Sequence, residues 1–193
     1  KLGKIRRVTF QMCQYSSRYD KFKNGIIENA FRPELSNGSL MDIGVYCVHP
    51  MVKILGKPDR VMASCVKLHN GVDGMGTILA SYDEQGAQAE LIYSKITDSP
   101  VPSQIQGEDG TMYMESLPIL TKVWIRYRDK SREDISFELE DPDNNMNYEI
   151  AEFMRIAEAN GSAETHNQYS VWEMQVMDEA RRQMGIVFPA DRV

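Results

Sequence analysis

Short runs in which hydrophobic and polar residues alternate occupy the middle of the chain, from about residue 59 to residue 139. Successive side chains of a strand point to opposite faces, so this alternation predicts β-strands. Turn-forming sequences such as Asn70-Gly71 and Gly107-Glu108-Asp109-Gly110 separate the runs. The clearest strand places on one face Ala87, Ala89, Leu91 and Tyr93. The pattern predicts an open, mostly antiparallel sheet of about six strands, built from hairpins.

The start of the chain gives a simpler pattern. Residues 4–15 alternate in the same way and predict a further strand. Residues 16–38 are rich in Arg, Asp, Asn, Gly and Pro and predict a long loop. Residues 39–56 have helical spacing, and Ser39 with Asp42 three residues later forms a capping-box pattern at the helix start.

Two more helices are predicted at the end of the chain. One spans residues 148–160, and the next opens at a second capping-box pattern, Ser170 with Glu173. Their apolar stripes, which we expect in the core, are Ile150, Phe153, Met154 and Ala157 in the first and Trp172, Val176, Met177, Ala180 and Met184 in the second. Helices on both sides of a run of strands predict an α+β fold in which helices cover one sheet face.

The other face of the predicted sheet is not clearly polar. Ile92, Tyr113 and Trp124 share it with charged groups. A half-apolar face of this kind favours contact with another domain or subunit. The alternative is a solvated face with scattered hydrophobic residues, which is common in globular proteins.

The composition is typical of a soluble globular protein, with 42% hydrophobic and 26% charged residues in a chain of 193. No apolar stretch reaches about 18 residues, which argues against a transmembrane helix. The net charge of −6 and the lack of a long basic run argue against a nucleic-acid surface. Cys13, Cys47 and Cys65 are far apart and odd in number. We therefore expect free thiols in a reducing cytosol, with no disulfide framework and no metal site.

Four titratable residues share one face of the helix predicted over 39–56. They are Asp42, Tyr46, His49 and Lys53. Apolar residues flank this stripe on both sides, so the helix is buried on two sides and the stripe faces a cleft, a partner or a narrow strip of solvent. Gly44 allows another group to approach the helix backbone closely, and Pro50 favours a kink or a restart.

These residue types suit the oxidation of an alcohol, which needs a base for the hydroxyl proton while a nicotinamide takes the hydride. A free tyrosine phenol has a pKa of about 10, and a nearby ammonium group lowers it. In this interpretation Asp42 orients a substrate hydroxyl, and His49 relays a proton or binds another hydroxyl. Each residue also has an ordinary structural explanation: Asp42 as a helix cap, Tyr46 as a packed ring and His49 as a satisfied histidine.

The run 37–46, Asn-Gly-Ser-Leu-Met-Asp-Ile-Gly-Val-Tyr, resembles the C-terminal domain of the Gfo/Idh/MocA oxidoreductases. Its Asp-Ile-Gly-Val-Tyr-Cys version is most similar to the dihydrodiol dehydrogenase and glucose–fructose oxidoreductase branches, which have a tyrosine where inositol dehydrogenases have a histidine. Residues 31–35 resemble the aromatic-Arg segment of the family, and residues 105–111 resemble its Gly-x-x-Gly hairpin. The resemblance covers nearly the whole chain.

The resemblance implies that Tyr46 is the catalytic acid/base and that Asp42 is its companion on the substrate side. Asp42, His49 and Arg32 are the implied substrate-binding residues, and Arg32 is the one candidate cofactor contact. Family members hold NAD or NADP mainly through an N-terminal Rossmann domain with a Gly-rich loop and a Glu-Lys-Pro segment. Neither occurs here, so we expect residues 1–193 to be the C-terminal substrate-binding and oligomerisation domain, with the Rossmann half absent from this chain.

The implied activity is NAD(P)-dependent oxidation or reduction of a sugar, polyol or dihydrodiol by the full-length protein. This chain alone is expected to be inactive, because it lacks most of the cofactor site. The expected partners are a polyhydroxylated small molecule and further copies of the protein, in a homodimer or larger homo-oligomer paired through the open sheet face; no nucleic acid or membrane partner is expected. Two other hypotheses stay open: a non-catalytic ligand-binding or regulatory module, and a scaffold used only for oligomerisation.

Overall fold

The computed structural model describes residues 1–138, 146–159 and 161–192. Eight strands lie in these residues: Ile5–Cys13 (β1), Arg60–Lys67 (β2), Asp73–Tyr82 (β3), Ala87–Ser94 (β4), Ser103–Gly107 (β5), Gly110–Met114 (β6), Lys122–Tyr127 (β7) and Ile135–Glu138 (β8). The described residues also form the α-helices Ser17–Lys23 (α1), Val45–Leu55 (α2), Met146–Glu158 (α3) and Glu164–Met184 (α4). Leu139 and Asn160, which the pattern placed at the ends of a strand and a helix, lie outside the described residues.

The eight strands of the described residues form one sheet, in the order β2-β3-β4-β1-β5-β6-β7-β8. Strand β1 lies near the middle, parallel to β4 and antiparallel to β5, and the other neighbouring strands are antiparallel. The predicted α+β fold with an open, mostly antiparallel sheet is therefore confirmed. The sheet has eight strands where about six were predicted, because seven strands lie between residues 60 and 138 and β1 joins them in the same layer.

Helices α2 and α4 pack on one face of this sheet, as predicted, and also against each other. The alternation in β4 holds, since its four apolar residues on the predicted inner face are all buried. The core between helices and sheet includes Val8, Phe10, Ile78, Leu91, Tyr93, Cys47, Val48, Met51, Val52, Val176, Met177 and Ala180. Each large apolar side chain buried there contributes about 1.5–3 kcal/mol, so this layer fixes the position of α2.

The end of the chain differs from the prediction. Helix α3 has no buried residue, and Phe153, which we expected in the core, is 72% exposed. The amphipathic pattern shows that one helix face suits burial, but it does not show what covers that face. Helix α4 starts at Glu164, so Ser170 lies inside it and its Oγ donates to the His166 carbonyl (3.2 Å). The second predicted capping box is therefore wrong.

The predicted loop 16–38 also contains regular structure. Helix α1 begins after Ser16, whose side chain accepts a hydrogen bond from the Arg18 N–H at 3.3 Å. The buried residues Phe22 and Phe31 form a second, smaller hydrophobic cluster, with ring centroids 5.4 Å apart. The polar composition of the segment hid these contacts, because the cluster uses few apolar residues of the segment and includes Val72 from outside it.

None of the helices in the described part of the chain has both the length and the apolar character that crossing a bilayer requires.

Candidate functional site

The helix predicted over residues 39–56 starts with a π-helical turn, Leu40–Gly44, and continues as α2. It ends at Gly56, as predicted, and runs through Pro50 without a break. Single π-helical turns inside helices are rare and occur often at functional sites. Here the turn carries Asp42, so the local backbone geometry sets the direction of its carboxylate.

The capping box predicted for Ser39 and Asp42 is wrong. Ser39 has helical backbone dihedrals, and its side chain makes no capping hydrogen bond. The cap comes instead from Asp73 at the start of β3, whose Oδ2 accepts a hydrogen bond from the Leu40 N–H at 2.7 Å. A carboxylate at this position satisfies a free N–H group and interacts favourably with the helix dipole. The side chain of Asp42 is therefore not used as a cap.

Asp73 is buried at the base of the site and is 1% exposed. Burial raises the pKa of its carboxyl to about 6, and hydrogen bonds from the Leu40 and Ser39 backbone and the charge of Lys95 act in the opposite direction. A Cβ atom at Gly38 would collide with this carboxylate. The glycine thus leaves the space through which Asp73 reaches the helix start.

The titratable stripe of the helix is its exposed face, as the spacing predicted. The Asp42 side chain is 40% exposed and Tyr46 is 43% exposed, whereas Cys47 and Val48 on the adjoining faces are buried. The predicted close approach at Gly44 is confirmed, because a Cβ there would lie 3.2 Å from Cγ of Tyr93. The helix is thereby held against β4, and its polar stripe is directed away from the sheet.

Asp42 and Tyr46 line the same open cleft, which has a volume of about 740 Å³. The other walls come from the end of β1, from residues 99–103 and from residues 115–119. Polar side chains on these walls include Gln11, Gln14, Ser99, Ser103, Glu115 and Ser116. Amide, hydroxyl and carboxylate groups of this kind donate to and accept from hydroxyl groups, so the cleft suits a small polar ligand.

One of the three cysteines lies at this cleft. Cys13 lies on its wall, but burial and the nearby charge of Asp98 raise the pKa of its thiol, which keeps it protonated. All three cysteines are free, as expected. Within residues 1–138, 146–159 and 161–192, no three His, Cys, Asp or Glu side chains are grouped so that they could hold a metal ion.

Lys95 is a site residue that the sequence analysis missed. It follows directly after β4, is 3% exposed, and forms a salt bridge with Oδ2 of Asp42. Its ammonium nitrogen also lies 5.2 Å from the centre of the Phe31 ring. The signal was present: extending the inward alternation of β4 by two residues beyond Tyr93 places a lysine on the buried face.

The structure places the remaining predicted site residues elsewhere. His49 Nδ1 lies 2.6 Å from Oε2 of Glu173 on α4, and His49 is not part of the lining of the cleft. Arg32 donates from Nε to the Ile27 carbonyl (3.1 Å) and lines a second cleft, of about 590 Å³, on whose edge Asp42 also lies. Asp42 thus lines both clefts, whereas Tyr46 lines only the first and Arg32 only the second.

Comparison with known proteins gives a family for this arrangement. Residues 1–113 match the family model described as GFO/IDH/MocA C-terminal domain. Over its whole length the chain is 48% identical to scyllo-inositol 2-dehydrogenase (NADP(+)) IolU of Bacillus subtilis (strain 168), and it covers 58% of that protein. It is 26% identical to trans-1,2-dihydrobenzene-1,2-diol dehydrogenase of Danio rerio over 178 residues, which are 86% of this chain and 52% of the relative. The chain spans little more than half the length of either relative.

Solved structures agree in fold. KijD10, a 3-ketoreductase from Actinomadura kijaniata in complex with NADP and TDP-benzene, superposes with a TM-score of 0.74 over 95% of this chain and 55% of that chain. At 19% identity this likeness shows the fold alone. The family model, however, matches more than half of the chain, and the 48% identity to IolU extends over all of it. The chain therefore belongs to the GFO/IDH/MocA C-terminal domain family.

Proposed function

We propose that this chain is the substrate-binding part of an NAD(P)-dependent oxidoreductase that acts on a CH–OH group of a sugar, polyol or dihydrodiol. The observation that carries the proposal is the pair Asp42 and Tyr46, one helical turn apart, exposed on one face and lining one polar cleft. Relatives named as a scyllo-inositol 2-dehydrogenase and a dihydrobenzenediol dehydrogenase support the substrate class. We further propose that a dinucleotide-binding domain completes the site in the full-length protein.

Each of the two residues has a distinct proposed role. The Tyr46 hydroxyl gives a proton to the substrate oxygen during reduction, or accepts it during oxidation. The Asp42 carboxylate accepts a hydrogen bond from a substrate hydroxyl and so fixes which carbon lies beside the phenol. The amide and hydroxyl side chains on the opposite walls bind the other hydroxyl groups of the ligand.

The cleft at Tyr46 suits the nicotinamide end of a dinucleotide cofactor, but not its pyrophosphate. The cleft beside Tyr46 is open, but the described residues contain no glycine-rich turn leading from a strand into a helix, the usual cradle for the pyrophosphate. A bound nicotinamide would supply the hydride acceptor or donor. Arg32, in the second cleft on the other side of Asp42, remains the proposed contact of this chain with cofactor or substrate.

We also propose that the open sheet face joins copies of the protein. One cross-strand row on this face runs from Met62 and Leu79 at one end to Tyr113 and Trp124 at the other. The Tyr113 and Trp124 rings stack with centroids 5.1 Å apart, and Met62 and Leu79 are exposed. Between these apolar ends the row is polar, at Glu90, Thr9 and Gln104. A face of mixed polar and apolar groups matches the composition of many subunit interfaces.

The decisive experiment is Tyr46→Phe in the full-length protein, assayed with scyllo-inositol and other polyols and with NAD+ and NADP+. Loss of the proton-transfer group is expected to lower kcat by about 100- to 10,000-fold. Tyr148→Phe, at an exposed position of α3, removes the same atom away from the cleft and serves as the control. Turnover like that of the unaltered protein after Tyr46→Phe would refute the role of Tyr46. Ligand binding by the unaltered protein without any turnover would favour the non-catalytic module instead.

A further inference from the structure

Lys95 is a buried cation that does not line the proposed substrate cleft. Its side chain is 4% exposed. Burying an ammonium group without a partner is strongly unfavourable, so a lysine at such a position needs nearby negative charge. A nonpolar residue would fill the same space without that requirement, so the presence of a lysine calls for a functional explanation.

The backbone of Lys95 is held on both sides. Its N–H donates to the Gly74 carbonyl and its carbonyl accepts from the Ser16 N–H, both at 2.9 Å. The residue therefore continues the line of β4 between the ends of β3 and β1. The Cα atom is fixed by the sheet, and the side chain points to the face on which the helix lies.

Three groups interact with the charge of the Lys95 ammonium group. Oδ2 of Asp42 forms the salt bridge, and the face of the Phe31 ring lies 5.2 Å away. Asp73 is near enough for the charge of Lys95 to act on its carboxyl. The lysine thus interacts with two carboxylates at the π-helical turn. Asp42 belongs to the turn, and Asp73 of β3 caps it.

We propose that Lys95 is a positioning residue that holds the Asp42 carboxylate in a single orientation at the cleft. This inference rests on the proposed function of Asp42. A carboxylate on an exposed helix face changes rotamer freely, and ordering it costs conformational entropy. A lysine anchored in the sheet removes that freedom in advance. Because Oδ2 of Asp42 meets Lys95, Oδ1 is the oxygen that we assign to a substrate hydroxyl.

The test compares variants of the full-length protein by steady-state kinetics. Lys95→Met keeps the bulk of the side chain and removes its charge, and it is expected to lower kcat/KM by about 10- to 100-fold, the effect of losing a charge-assisted hydrogen bond. KM is expected to rise, because a misplaced Asp42 binds substrate poorly, whereas simple loss of folded enzyme lowers kcat alone. Lys95→Arg, which keeps the charge, is expected to recover part of the loss.

A double-mutant cycle with Asp42→Asn shows whether Lys95 acts through Asp42. If it does, adding Lys95→Met to Asp42→Asn changes kcat/KM by less than about twofold. Lys67→Met is the matched control, because Lys67 is exposed and donates only to the Gly185 carbonyl in the described structure, at 2.7 Å. If Lys95→Met does not fold, Lys95→Gln replaces it, since its amide still donates a hydrogen bond.

The outcomes separate the two proposals. Absence of any turnover by the unaltered protein would overturn the proposed function. Unchanged kinetics in Asp42→Asn would overturn the proposed role of Asp42, and with it the positioning role of Lys95. A strong loss in Asp42→Asn, together with unchanged kinetics in Lys95→Met, would overturn the positioning role alone. The positioning role would also be overturned if Lys95→Met lowered kcat/KM equally in the unaltered protein and in Asp42→Asn, or if it lowered kcat and left KM unaltered. Lys95 would then support only the fold.

Discussion

Replacing Asp73 by asparagine tests the electrostatics at the base of the site. Asparagine is nearly isosteric with aspartate, and its side-chain oxygen can still accept the hydrogen bond from the Leu40 N–H. The variant therefore keeps the hydrogen bond that caps the helix and loses the ability to ionise. Any difference in the pH dependence of stability between the two proteins then reports on the Asp73 carboxyl.

The magnitude follows from the pKa of this carboxyl, which burial raises from an ordinary 3.8 to about 6. The protonated form fits the folded protein better than the ionised form. Asp73 therefore contributes its full stability below about pH 3.8, and that contribution is lost as the pH rises through about 6. Between pH 4 and pH 7 the loss amounts to roughly 2–3 kcal/mol.

The assay is urea unfolding of the chain and of Asp73→Asn at pH 4, 5, 6 and 7. Taking the difference between the two proteins cancels the titration of the other groups. We expect the unfolding free energy of the unaltered protein to fall relative to that of the variant by roughly 2–3 kcal/mol over this range. A difference that does not depend on pH would contradict this expectation. A difference with the opposite sign would show that Lys95 and the backbone hydrogen bonds outweigh burial.

Two further changes test the packing of the site and the open sheet face. Gly44→Ala gains helix propensity, but its Cβ would lie 3.0 Å from Leu40 and 3.2 Å from the buried Tyr93 ring. We therefore expect the free energy of unfolding in urea to fall by about 1 kcal/mol. A more stable variant would contradict the close packing. Trp124→Glu places a charge on the proposed interface and is expected to give a smaller assembly of the full-length protein in light scattering. Val171→Glu, at an exposed position of α4, is its control, and an unaltered mass after Trp124→Glu would contradict the proposed pairing.

The parts of the fold that the sequence predicted are those with local causes. Asn70-Gly71 turns the chain between β2 and β3, where the Leu68 N–H donates to the Val72 carbonyl at 2.8 Å. The position of β1 between β4 and β5 has no such local signal, since it depends on pairing with residues about 80 to 100 positions away. The exposed stripe of α3 shows the same limit, because periodicity identifies a face and not its partner.

The candidate site also contains residues that the sequence predicted and residues that it did not. Helical spacing placed Asp42 and Tyr46 together, because residues four apart share a helix face whatever lies around them. Lys95 continues the alternation of this strand, but it was missed because the predicted strand, like β4 itself, ends at Ser94, one residue before the lysine. Asp73 gave no signal, since an acid that caps a helix from a strand 33 residues away follows no spacing rule.

The failure of the capping-box prediction bears on the role that we propose for Asp42. A carboxylate near a helix start normally accepts hydrogen bonds from the free N–H groups there, and one so engaged has little left to offer a ligand. In this protein Asp73 supplies that carboxylate from the neighbouring strand, and Lys95 balances the charge that Asp73 and Asp42 bring together. The Asp42 carboxylate is thereby not needed as an acceptor for the N–H groups at the helix start, and it remains exposed on the same helix face as Tyr46. Because the cap comes from the sheet, the Asp42 carboxylate is available for the substrate contact that we propose.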